Sequence, residues 1–159
     1  MNTSNSKLLI KTFDGYLMDI KIKPKCKDST VTFNVKYYDH EGDGSLIKVK
    51  IIFRQVVAIH FEVNLFDNCI GSELCGFYEI FNVDKKKEMI EKIFQMRLEG
   101  FLYHGDYDYD YDANDESDML NDRKPVDALL EEIERYHLYQ QQTQGGIYYI
   151  LSGGYDVIR

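Results

Sequence analysis

This chain has no tryptophan, and only 2 of its 159 residues are proline. Scarce proline excludes a stiff Pro-rich linker. No apolar run approaches the ~20 residues that a membrane-spanning helix needs. The apolar run behind the polar opening residues, Leu8 to Ile10, is too short for the core of a secretion signal. Cysteine is sparse and odd in number, at Cys26, Cys69 and Cys75. That spacing provides neither a disulfide framework nor the paired Cys sets of a zinc site, so a reducing, cytoplasmic setting without membrane attachment is expected. A basic surplus is missing too. The net charge is −8, which argues against a nucleic-acid partner. The stretch from Lys21 to Lys27 and the run Lys85-Lys86-Lys87 are too short to outweigh it.

What is present is apolar and aromatic. Apolar residues make up 44% and aromatics 14%, with Tyr 13 and Phe 9, which excludes a chain disordered throughout. The length suits a single domain covering residues 1–159. Its charge is unevenly placed. Eight acids and no Lys or Arg lie within residues 106–122, and the other 19 acids balance the 19 bases. Residues 1–60 hold ten bases against six acids.

Periodicity then predicts the elements. Residues 16–23 end in strict alternation, and Val31, Phe33, Val35 and Tyr37 alternate again, so both stretches read as half-buried strands. The Gly-rich turn around Gly42 and Gly44 joins residues 30–38 to a β-branched run at 46–53, a hairpin signal. Further strands are expected at 56–66, 77–81, 136–141, 147–151 and 155–158, with Gly145-Gly146 and Gly153-Gly154 as turns. The period changes to helical over 85–98, with Asp84 as cap and Gly100 as stop. Pro125 suits the first turn of a second, shorter helix carrying Val126, Leu129, Leu130 and Ile133. The expected class is α+β: a mainly antiparallel sheet or curled half-barrel, one long helix, one short helix, and an acidic Tyr/Asp loop at about 104–124.

The most unusual segment is Asp106, Tyr107, Asp108, Tyr109, Asp110, Tyr111 and Asp112. A calcium loop starting at Asp106 needs Gly and Glu where Tyr111 and Ser117 stand; one starting at Asp108 meets Ala113 and Met119. No metal is expected there. Clustered like charge usually makes a solvated loop. The functional reading is a docking surface for a basic partner, with Tyr supplying contact area and Asp supplying field. His40 lies among Asp39, Glu41 and Asp43, a set able to hold a hard metal but matching no ligand spacing. Cys75 and His60 would make a nucleophile and base only if folding joined them. Gly71-Ser72-Glu73 lacks the nucleophile elbow, and neither Gly-Gly pair opens a phosphate-binding helix. No catalytic residue, metal or cofactor is assigned.

The closing strands carry a resemblance. Tyr136-His137-Leu138-Tyr139, Gly146-Ile147-Tyr148-Tyr149-Ile150 and Gly154-Tyr155-Asp156-Val157-Ile158 resemble small bacterial proteins of the toxin-immunity type, as does Phe13-Asp14-Gly15-Tyr16 near the start. The resemblance covers about a third of the chain and implies no catalytic residues. It implies a non-enzymatic intracellular domain that binds a protein, in its sharpest form a basic toxin domain. The alternative is a small-ligand-binding or enzymatic domain with a pocket near the sheet–helix junction, lined by His60, Cys75 and His137.

Overall fold

A computed structural model describes residues 5–63, 73–103, 116–143 and 145–159. Its secondary structure is nine strands and two helices. The strands are β1 (Ser6–Ile10), β2 (Tyr16–Lys23), β3 (Thr30–Tyr38), β4 (Leu46–Arg54), β5 (Ala58–Val63), β6 (Leu74–Ile80), β7 (His137–Thr143), β8 (Gly146–Ser152) and β9 (Gly154–Ile158). The helices are α1 (Val83–Tyr103) and α2 (Glu116–Glu131). By its contacts the chain divides into two compact units, residues 1–82 with 136–159, and residues 83–135.

The first unit holds every strand. The α+β class and the antiparallel pairing are as alternation predicts, and the strands divide over two sheets that do not close into a barrel. One sheet has the order β1-β6-β7-β8-β5; the other has β2-β3-β4-β9. All pairings are antiparallel. The expected hairpin β3–β4 forms, with Val35 opposite Val49 and Tyr37 opposite Ile47. Gly153 is not a hairpin turn. There the chain leaves β8 in one sheet and enters β9 in the other. Gly153 N–H donates to the Arg54 carbonyl, so this crossing is tied to the β4–β5 crossing, where Gln55 has φ 51. A Cβ on Gly153 would sit 2.4 Å from the Gln55 side-chain oxygen, so a larger residue there would displace the Gln55 side chain.

The two sheets bury their apolar faces on each other. Phe33 and Phe53 from the smaller sheet meet Tyr148, Phe77 and Tyr139 from the larger one, edge-on or tilted, with ring centres 5.5–5.6 Å apart. Leu17, Val31, Val35, Val49, Ile51, Leu74 and Ile150 complete this core. In β2 the apolar residues Leu17, Ile20 and Ile22 do not share one alternation. A bulge at Met18 corrects the phase: Leu17 pairs with Val35 and Asp19 with Asn34. A second bulge, at Cys75-Gly76 in β6, lies between the pairs Leu74–Thr143 and Phe77–Gln141 with β7. The buried Gln141 amide donates to the Cys75 and Gly76 carbonyls at 3.1 and 3.4 Å and to the Thr12 hydroxyl at 3.2 Å. It serves polar groups that the irregular ladder would leave exposed to an apolar core.

Residues 83–135 are the helical unit. α1 begins after Asn82, a favoured capping residue, and Asp84 lies in its first turn. It continues through Gly100 to Tyr103, past the expected stop, because the apolar spacing continues at Phe101 and Leu102. α2 begins at Glu116, inside the expected acidic loop, and Pro125 lies in its interior. Arg123 of α2 forks onto Glu91 of α1 at 2.5 and 2.6 Å and reaches Asp127 at 2.7 Å. Its guanidinium also lies 5.1 Å above the Phe94 ring centre.

Candidate functional site

The expected docking residues Asp106, Tyr107, Asp108, Tyr109, Asp110, Tyr111 and Asp112 lie outside the described residues, as do Cys69 and Ser72. The other candidates can be placed. Asp39, His40, Glu41 and Asp43 share the β3–β4 turn but face different partners. Asp39 accepts from Arg159 at 3.2 Å, Glu41 pairs with Lys11 at 3.7 Å, and His40 approaches the Phe13 carbonyl. Asp43 accepts from Ser45, and those hydrogen bonds hold its carboxyl below the ordinary range. Among the described residues no three His, Cys, Asp or Glu side chains gather as metal ligands.

His60, Cys75 and His137 do not converge. They stand on β5, β6 and β7, and two strands separate β5 from β6. His60 bonds Glu62 at 3.0 Å, and His137 bonds Glu79 at 2.6 Å. The His137 ring stacks on Tyr139, which burial, and then Glu79 and Tyr155, push well above the usual tyrosine range. A hydroxyl held neutral in this way is no base, and Cys75 lies toward the other end of β6. Cys26 and Cys75 are free thiols.

What the fold does assemble is a cationic sheet face. The smaller sheet turns one face to the core, and its other face carries the alternate residues. By register, Tyr16, Lys36 and Lys48 form one row across the strands. Asp19, Asn34, Lys50 and Ile158 form the next, and Lys21, Thr32, Ile52 and Asp156 the one after. Lys23 and Arg54 lie beyond these, while Tyr38 and Leu46 pair at the opposite end. The face thus holds six cations and two acids. Arg54 binds Asp156, which raises the Arg54 pKa, and Asn34 donates to Asp19. Among the described residues, Lys21, Lys23, Lys36, Lys48 and Lys50 make no ion pair.

The register also sets Lys36 directly opposite Lys48. Like charges facing across strands lower stability. A groove of about 430 Å³ runs over this face, its lining including Asp19, Lys21, Asn34, Lys48, Lys50 and Arg159. Sequence reading sees the lysines as short runs along the chain. Their alternation with Ile20, Ile22, Val35, Val49 and Ile51 is the signal that they share the outward face, and hairpin register brings Lys36 and Lys48 together.

Comparison with family models, with curated proteins and with solved structures finds no match to this chain.

Proposed function

We propose that this chain is a non-enzymatic domain that binds another protein through charge. In its sharpest form it is an immunity-type protein that neutralises a basic toxin domain in the cytoplasm. The observation that supports the reading is the sorting of charge. The sandwich keeps a neutral aromatic core, and the 19 acids outside residues 106–122 balance the 19 bases of the chain. The acids of residues 106–122 then carry the whole net charge of −8, the right sign to speed encounter with a basic protein. Unpaired Cys26 and Cys75 suit a reducing compartment.

The test begins with a basic protein captured stoichiometrically by the chain in its host and identified by mass spectrometry. Association is then followed by stopped flow for the wild type and for a variant with Asp106, Asp108, Asp110 and Asp112 changed to Asn. The variant should associate about tenfold more slowly at low salt, with the gap closing as salt rises. If the partner is a toxin, co-expression with the wild type should restore growth and the variant should do so less well. Equal association rates at low salt would refute the docking role.

A further inference from the structure

Independently of that reading, we propose that the outward face of the β2-β3-β4-β9 sheet is a binding site for single-stranded nucleic acid. The net charge of the whole chain argues against such a partner, but binding responds to local charge. Exposed charges act over about 8 Å at physiological salt. Within this face the balance is six cations to two acids, and one of those acids is already neutralised by Arg54.

Three features favour a phosphate backbone over an acidic protein segment. First, among the described residues the cations of this face that make no ion pair are all lysines. Lysine is depleted from protein–protein interfaces, whereas a phosphate that stays partly hydrated accepts its strongly hydrated ammonium readily. Second, Lys36 opposite Lys48, with Lys50 two residues along the same strand, concentrates positive charge at a cost to stability that a bound polyanion would relieve. Third, two tyrosines share the face and are open to solvent, Tyr16 at 46% and Tyr38 at 42% exposure. Tyr16 is the direct cross-strand neighbour of Lys36, and Tyr38 lies two residues beyond it on the same side of β3. An aromatic ring beside a cationic groove is the arrangement on which unpaired bases stack while their phosphates meet lysines. Duplex bases are already stacked and could not use these rings, so the site is specific to single strands.

The test is fluorescence anisotropy with the full chain and labelled oligothymidine and oligouridine of about 12 nucleotides. Binding should weaken steeply with salt. Four engaged lysines give a log–log slope near −3, since each neutralised phosphate of a single strand contributes about 0.7. Changing Lys36, Lys48 and Lys50 together to Gln should flatten the slope by about 2 and weaken binding at least tenfold. Tyr16→Ser with Tyr38→Ser should weaken it about tenfold and leave the slope unchanged. Melting curves verify that each variant is folded. No binding at low salt, equal binding of a duplex of the same length, or equal binding of polyglutamate of matched charge would each overturn the proposal. The last outcome would assign the face to an acidic protein instead.

Discussion

The two faces of the β2-β3-β4-β9 sheet come from the same alternating residues, yet they are resolved in opposite ways. The inner face is closed. Its rings and aliphatic chains meet partners from the other sheet, and Val31, Phe33, Val35, Val49, Ile51 and Phe53 are almost fully buried. The outer face is open, with lysines that have no counter-ion among the described residues and one lysine pair set directly opposite. Stability resides on one side of the sheet, and an excess of positive charge on the other. Two clusters of the helical unit give a useful contrast, because in them charge is paired internally. Arg123 is shared by Glu91 and Asp127, and Glu88 is bracketed by Lys85 and Lys92.

The comparison breaks first if the inner face can be emptied without loss. Phe53 touches Phe33, Phe77, Tyr139 and Tyr155, so it ties both sheets together. Phe53→Ala should cost about 3–5 kcal/mol, read from the shift in urea unfolding midpoint. A cost below about 1 kcal/mol would show that the aromatic layer is not what joins the sheets.

A smaller effect is expected at the bulge of β6. Gln141→Leu keeps the volume but removes the amide that serves the Cys75 and Gly76 carbonyls. About 1–3 kcal/mol should be lost in the same assay. An unchanged midpoint would show that the bulge finds other donors. Smaller again is Arg123→Ala in the helical unit. Its ion pairs are partly exposed and screened, so about 1 kcal/mol is expected. Amide hydrogen exchange should quicken in both α1 and α2. Faster exchange in only one helix would mean that Arg123 does not couple them.

Much of this fold was legible. Alternation places Val31, Phe33, Val35 and Tyr37 inward, and the turn around Gly42 and Gly44 fixes the hairpin. The phase slip between Leu17 and Ile20 even marks where β2 must bulge. The division into two sheets was not legible, because it depends on where the chain crosses, and Gly153 looks the same in a hairpin as in a crossing. β1 was missed because Ser6–Ile10 is short and only partly buried, and it is paired only through β6, far along the chain. Pro125 misled because proline favours a helix's first turn without being confined to it, and α2 runs from Glu116 to Glu131 with Pro125 inside it. The lysine face falls between these cases. Each strand shows its outward lysines, but joining Lys21, Lys36, Lys48 and Lys50 into one surface needs register across three strands.

The central claim is that the outward lysines are kept at the expense of stability, and Lys48→Glu tests it most directly. A glutamate there would stand opposite Lys36 and beside Lys50, turning repulsion into attraction. The account predicts a gain of about 0.2–1 kcal/mol at low salt. That corresponds to a rise of up to about 4 °C in melting temperature for a chain of this size. The gain should shrink as salt is raised. A melting temperature that falls at low salt, or that shifts equally at every salt concentration, would contradict it.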